Sequence, residues 1–91
     1  MEITQTAELA FARLQELDTI DGREWNRMPQ SKRDEYFRPL CEKVYGEFRP
    51  VMTNDDWISF TFVLENENRH TAGRIFDSLE EEMKKAEAEG E

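Results

Sequence analysis

Residues 53–64 read Thr-Asn-Asp-Asp-Trp-Ile-Ser-Phe-Thr-Phe-Val-Leu and form the most apolar stretch of a strongly polar chain. They hold three of the eight Phe and Trp residues of the protein. Because large apolar side chains are scarce elsewhere, this stretch has to supply much of the core, and the other segments are interpreted around it.

The stretch fits either a strand or a helix. Apolar side chains occupy every second position from Ile58 onward, and most are β-branched or aromatic, as in strands. Thr53, however, precedes Asp56 by three residues, which is the spacing of a helix capping box. The only partner strand would be residues 48–52, which contain Pro50, and an isolated hairpin is marginally stable.

The helix is therefore favoured, and because it is apolar nearly all round we expect it to be buried at the centre of a small bundle. We predict a mainly α fold, a single-domain helical bundle of about four helices over residues 1–91. The alternative is an α+β fold with a short β-hairpin at 48–64. A content of 37% hydrophobic residues is too high for a disordered chain, so the protein is expected to be globular.

Hydrophobic spacing predicts two helices before this stretch. An apolar stripe runs along residues 3–20, and Asp21-Gly22 is a suitable stop for that helix. A second capping box, formed by Ser31 and Asp34, is expected to open the next helix.

Later signals predict an interruption and a final helix. Pro39 is expected to kink or break the second helix, because it removes a hydrogen bond and clashes with the preceding turn. Residues 65–70 are wholly polar and are interpreted as a loop. Thr71 is expected to cap a last helix with an apolar stripe along 72–86, and residues 87–91 are expected to form a frayed tail.

Charge divides the chain into three parts. The net charge is −9, yet residues 23–50 carry seven bases and five acids. Residues 1–22 carry five acids and one base, and residues 51–91 carry eleven acids and four bases. Such asymmetry between segments indicates interaction surfaces rather than a particular fold.

Several features suggest a cytoplasmic protein. Its single cysteine, Cys41, cannot form an internal disulfide. The first residues lack the basic and apolar regions of a signal peptide, and no apolar run approaches the roughly 20 residues of a membrane span. We therefore expect no membrane association.

Catalytic and metal motifs are absent from the sequence. An enzyme would have to use Cys41 with His70, the only histidine, but Cys41 lies on an apolar face and is interpreted as a small core residue. One Cys and one His do not suffice for a zinc site, and the glycines form no nucleotide-binding loop. We predict no metal, no cofactor and no enzymatic activity.

A basic segment, residues 22–33, is the best candidate for a partner-binding surface. It lacks helical periodicity and contains Pro29, so it is interpreted as a loop with at most one helical turn. Arg, Trp and Met are enriched at protein interfaces. Alternatively, Trp25 and Met28 cover one end of the bundle while the bases pair with nearby acids. The candidate partner-binding residues are Arg23, Trp25, Arg27, Met28, Lys32 and Arg33.

An acidic surface near the C-terminus offers a second candidate. Its carboxylates could resemble a phosphate backbone, although charge runs are usually solvated helix faces. Direct nucleic-acid binding is not expected, because a net charge of −9 repels phosphates. The residues of this acidic surface are Glu80, Glu81, Glu82 and Glu87.

These observations favour a non-enzymatic protein–protein interaction module, an adaptor, inhibitor or regulatory subunit that acts by occupying a partner's surface. The first alternative is an acidic nucleic-acid mimic that blocks a nucleic-acid-binding protein. The second is a small enzyme using Cys41 and His70. A protein partner is expected, and a homodimer is possible because the stripe along residues 3–20 could pair with a second copy.

Overall fold

The computed structural model describes residues 2–89, which form five α-helices and no β-strand. The predicted helical bundle is confirmed, and the hairpin at 48–64 does not form. No helix within the described range is long and apolar enough to cross a membrane. In chain order the helices are α1 (Gln5–Leu17), α2 (Gly22–Arg27), α3 (Gln30–Phe48), α4 (Asn54–Asn66) and α5 (His70–Glu89), with a 3₁₀ turn at Arg49–Val51.

The capping box predicted at the start of α4 is present. The Thr53 hydroxyl oxygen accepts a hydrogen bond from the Asp56 backbone N–H at 3.1 Å, and the Asp56 carboxylate accepts one from the Thr53 N–H at 3.0 Å. Two of the N–H groups that a helix start leaves unpaired are thereby satisfied. The same backbone hydrogen bond lowers the pKa of Asp56. This local signal makes residues 54–66 a helix.

A tight turn at Asn68 joins α4 to α5. Asn68 has a φ of 57°, in the left-handed region that asparagine tolerates better than most residues. The Arg69 N–H donates to the Leu64 carbonyl at 2.8 Å and the Asn68 N–H to the Glu65 carbonyl at 3.1 Å, which is the Schellman pattern of a helix end. The turn brings α5 back against α4 as an antiparallel neighbour.

The four longer helices form a closed ring around the core. α3 packs on α5, α5 on α4, α4 on α1, and α1 on α3, so each has two neighbours. The core contains the small residues Ala7 and Ala10 of α1, which let neighbouring helices approach closely. Its largest fully buried side chains are Phe60 of α4 and Phe76 of α5.

Aromatic contacts fix how α4 is rotated about its axis. The rings of Phe60 and Phe76 meet edge to face at 4.9 Å, and Trp57 lies 5.8 Å from Phe60. With this face turned inward, Ile58 and Phe62 lie on the opposite face and are 50% and 38% exposed. The expectation that α4 is buried on nearly all sides is therefore wrong, because the ring of helices covers only part of its surface.

The segment 22–33 is not a loop. Residues 22–27 form α2, and α3 begins at Gln30. Asp21 starts α2 rather than stopping α1, since its carboxylate accepts a hydrogen bond from the Arg23 N–H at 2.7 Å. The first helix ends earlier, at Leu17. Short helices bury too little surface to show an apolar period, so the sequence pattern missed this one.

Three other local predictions are corrected. Ser31 does not cap α3, whose N-cap position is taken by Pro29 without a side-chain hydrogen bond. Thr71 lies inside α5 instead of preceding it. Pro39 does not break α3, which is continuous from Gln30 to Phe48. Pro39 is solvent-exposed, so water can reach the carbonyl that loses its partner.

The last part of α5 extends beyond the core. Residues 81–89 are helical but exposed at every position, including Met83, which was expected on the buried stripe. Of the tail 87–91 that was expected to fray, residues 87–89 belong to α5, and residues 90 and 91 lie outside the described part of the chain.

Two phenylalanines of α4 provide a matched test of this packing. We expect Phe60→Ala to lower the free energy of unfolding by about 3–5 kcal/mol, because it empties a fully buried ring site. Phe62→Ala, on the exposed face of the same helix, should cost less than about 1 kcal/mol. Urea unfolding followed by circular dichroism measures both values. Equal losses for the two variants would contradict the observed rotation of α4.

Candidate functional site

A groove lies on the surface between α4 and α5, and its volume is about 560 Å³. The exposed side chains of Ile58 and Phe62 line it from α4, one helical turn apart. Gly73 lines it from α5, and apart from its chain neighbours and the adjacent helix backbone no atom lies within 4 Å of the position where a Cβ would stand. The α5 wall is thus open at this point, and the groove combines an apolar side with accessible backbone.

Charged residues border the groove from α4, from the turn and from α5. Arg69 and His70 lie at the end nearest the turn between the helices, whereas Arg74 and Asp77 lie further along α5. Arg74 forms an ion pair with Asp34 of α3 at 3.1 Å, so its charge is already compensated. The pKa of Asp77 is raised, chiefly by burial and secondly by the nearby Glu81 carboxylate. Glu65 of α4 lines the same end as Arg69, so both signs of charge are present there, whereas Asp77 makes the other end acidic.

Sequence reasoning missed this groove. It assigned Ile58 and Phe62 to the core and treated Arg69 and His70 as part of a solvated loop. The spacing shows only that α4 has two apolar faces, because Ile58 and Phe62 are four residues apart while Phe60 lies 200° from each around a helix. Which of the two faces is buried depends on the neighbouring helices, and that information is not local.

In the basic segment, Trp25 and Arg33 are joined to each other and to the core. The Trp25 ring packs edge-on against Phe37 at 5.2 Å. The Arg33 guanidinium lies 4.8 Å above the same ring and donates two hydrogen bonds, of 3.2 and 3.0 Å, to the Trp25 carbonyl. Trp25 is half-buried and held from two sides, which favours the interpretation that it covers one end of the bundle.

The other four residues predicted in this segment are more dispersed. Arg23, Arg27 and Lys32 are exposed, and Met28 is half-buried. Lys32 forms an exposed ion pair with Glu35 at 3.3 Å. Among these six predicted partner-binding residues, hydrogen bonds and the cation–π contact bring together only Trp25 and Arg33.

Of the predicted acidic surface, Glu80 is largely buried, with a side chain only 13% exposed. Its carboxylate accepts hydrogen bonds from the Tyr45 hydroxyl and from Arg49 Nε, both at 2.8 Å. Burial, followed by the Glu80 carboxylate, raises the pKa of Tyr45 to about 12, so the phenol remains a donor. Glu80 is therefore a structural residue that links α5 to α3 and the 3₁₀ turn.

The remaining acids of that surface are exposed. Glu82 pairs with Arg38 of α3 at 2.9 Å, whereas Glu81 and Glu87 are exposed on the part of α5 that extends beyond the core. With two of the four carboxylates paired to arginines, this surface presents less negative charge than the sequence suggests.

Cys41 and His70 do not share an accessible site. Cys41 is completely buried in the core, and burial raises the pKa of its thiol to about 12. His70 is exposed at the start of α5. A catalytic cysteine has to reach the thiolate state and contact a substrate, and the core position of Cys41 opposes both. Within residues 2–89, no three His, Cys, Asp or Glu side chains are grouped so as to hold a metal ion.

Removal of the Trp25 side chain tests its structural role. We expect Trp25→Ala to lower the free energy of unfolding by about 2 kcal/mol, since it uncovers Phe37 and leaves Arg33 without its stacking partner. Arg27→Ala on the exposed side of α2 serves as the control and should be nearly neutral. Chemical denaturation measures both. If Trp25→Ala left the midpoint of chemical denaturation unchanged, Trp25 would again be interpreted as an exposed residue that binds a partner.

The reactivity of Cys41 can be measured directly. With the thiol buried and its pKa raised to about 12, we expect native protein to react with a thiol reagent at least about 100-fold more slowly than protein in denaturant. With a thiol reagent that releases a chromophore when it reacts, the rise in absorbance gives the reaction rate in each condition. Equal rates in the two conditions would reopen the enzyme hypothesis.

Comparisons with known proteins add no functional information for this chain. A scan against protein-family models, a search of curated proteins and a search of solved structures each found no match. Its function is accordingly inferred from the groove between α4 and α5 and from the residues that surround it.

Proposed function

We propose that this chain is a non-enzymatic protein–protein interaction module, an adaptor, inhibitor or regulatory subunit, that holds an amphipathic helix of a partner protein in the groove between α4 and α5. The observation that carries the proposal is the exposure of Ile58 and Phe62 side by side in that groove. Exposed apolar side chains that lie together and are bordered by polar residues are a common feature of protein interaction sites.

A helical occupant is inferred from the shape of the groove. Two antiparallel helices form its walls, and such grooves receive a third helix that inserts apolar residues spaced by one turn. The lining residues of α4 extend from Ile58 to Glu65, a rise of about 10 Å. That length matches about two turns of a partner helix, whose residues at i and i+4 would contact Ile58 and Phe62.

Charge supports one orientation of the partner helix. The groove is bordered by Glu65, Arg69 and His70 at the turn end and by Asp77 further along α5. A partner helix with a basic residue at the end that lies beside Asp77 would therefore be favoured in one direction over its reverse. Such complementarity contributes mainly to specificity and association rate.

The alternative functions have less support. An acidic mimic of nucleic acid needs a continuous negative surface, yet Glu80 and Glu82 are engaged by Arg49 and Arg38. An enzyme using Cys41 would need a thiol that a substrate can reach. Neither alternative accounts for the exposed apolar residues of the groove.

A pull-down with three proteins tests the proposal. Tagged wild-type protein, Ile58→Glu and Leu9→Glu are incubated with extract of the native cell, and captured proteins are quantified by mass spectrometry. Leu9 is a matched control, because it is 55% exposed on α1 and does not line the groove. We expect a partner whose capture falls at least about tenfold with Ile58→Glu, because the new carboxylate has to be buried, and remains unchanged with Leu9→Glu.

Other outcomes would overturn the proposal. Capture that is insensitive to Ile58→Glu places the interaction elsewhere, and a chain that captures nothing lacks the proposed activity. Sedimentation equilibrium of the purified protein tests whether the groove is filled by a second copy of this chain. A dimer that Ile58→Glu dissociates would show that the groove is filled by a second copy and not by a different protein.

A further inference from the structure

A separate cavity of about 240 Å³ lies beside the turn end of the groove, where α2, the start of α3 and the start of α5 meet. Trp25 and Phe37 form its apolar wall. Its polar lining contains two arginines and no aspartate or glutamate, although the chain has 21 acids and a net charge of −9. The polar lining residues are Gln30, Arg33, Asn68, Arg69, His70 and Thr71.

We infer that this cavity is a binding site for a phosphate group, carried by a phosphorylated side chain of the partner segment held in the groove. The part concerning the partner rests on the proposed function, whereas the affinity of the cavity for phosphate can be measured without any partner. Arg33 and Arg69 line the cavity, and each offers several N–H donors in a planar arrangement suited to phosphate oxygens.

Arg33 is held in position before any ligand arrives. Its Nε and one terminal nitrogen donate to the Trp25 carbonyl, and the guanidinium stacks on the Trp25 ring. A guanidinium has five N–H donors, so three remain for another acceptor. Little conformational entropy would be lost when such a fixed group binds an anion.

Arg33 and Arg69 form no ion pair within residues 2–89, although Arg13, Arg38, Arg49 and Arg74 all do so. Asp18 lines a neighbouring cavity together with Arg69 but forms no ion pair with it. In a protein of net charge −9, two unpaired guanidiniums at one cavity leave a local positive site. A phosphate dianion supplies the missing counter-charge.

Neutral donors complete the lining. The Gln30 amide donates to the Thr71 hydroxyl oxygen at 3.2 Å, which leaves the hydroxyl hydrogen of Thr71 available to an anion. The same amide also donates a hydrogen bond of 2.9 Å to the carboxylate of Asp34. Asp34 does not line the cavity, and its negative charge is paired with Arg74. The first turn of the 20-residue helix α5 also lies at the cavity, and its dipole adds to the positive potential set by the arginines.

Two residues connect the cavity to the groove. Arg69 and His70 line both, so a segment lying along Ile58 and Phe62 would pass within reach of the cavity at the turn end. The groove would supply most of the apolar contact, and the phosphate would make binding depend on modification of the partner.

Titration with inorganic phosphate at pH 7.5, followed by amide chemical shifts, tests the site. Chloride at matched ionic strength controls for screening, and acetate tests whether a carboxylate serves equally well. We expect saturable shifts at His70, Thr71 and Ala72 with phosphate. Arg69→Gln should raise the dissociation constant about tenfold, as expected for loss of one charged donor group. Arg27→Gln removes the same charge from an exposed position of α2 outside the cavity and should change the dissociation constant less than about twofold.

Each other result overturns the inference. Shifts that do not saturate, or that chloride reproduces, would show ionic screening without a site. Equal effects of Arg69→Gln and Arg27→Gln would indicate diffuse attraction, and equal binding of acetate would assign a carboxylate site instead. Ile58→Glu separates this inference from the proposed function, because it should abolish partner capture while leaving phosphate binding intact.

Discussion

The edge-to-face contact between Phe60 and Phe76 determines the orientation of α4, and much of the surface depends on that orientation. Both rings are completely buried and join α4 to α5 at the centre of the ring of helices. A helix has one rotation that places Phe60 inward, and in that rotation Ile58 and Phe62 face solvent. The exposed apolar pair is therefore a consequence of core packing, and it forms a groove because α5 lies alongside.

A second contact, centred on Arg49, keeps the walls of that groove in place. Its guanidinium pairs with Glu80 of α5 at 2.8 Å, lies 4.9 Å above the ring of Trp57 in α4, and donates to the carbonyl of Met52 at 3.3 Å. One side chain thus contacts both groove helices and the connection that precedes α4. Only a planar guanidinium can make the stacking contact and the directional hydrogen bonds together.

Local signals in the sequence predicted the central helix and its start, because a capping box is a short-range pattern that the fold did not override. The predicted loop at 65–70 is shorter than expected, since α4 continues to Asn66 and α5 begins at His70. The buried position of Cys41 was also predictable from the apolar neighbours on its helix face. The exposed face of α4 was not predictable, since both of its faces are apolar and only packing decides between them. The basic cavity was missed because Arg33 and Arg69 are distant in sequence and meet only after α5 has folded back.

Because α5 extends beyond the core, the free energy needed to open the helix differs between its two ends. Up to Glu80, the backbone hydrogen bonds of α5 break only when the core unfolds. Residues 81–89 pack on no core residue, so only their own hydrogen bonds and neighbouring charges keep them helical. Nine residues are fewer than the about 12–15 that an isolated helix needs in water, so this part depends on continuity with the folded turns before it. Amide hydrogen exchange should therefore quicken from Glu80 towards Glu89, and warming would unwind this end while the core remains folded.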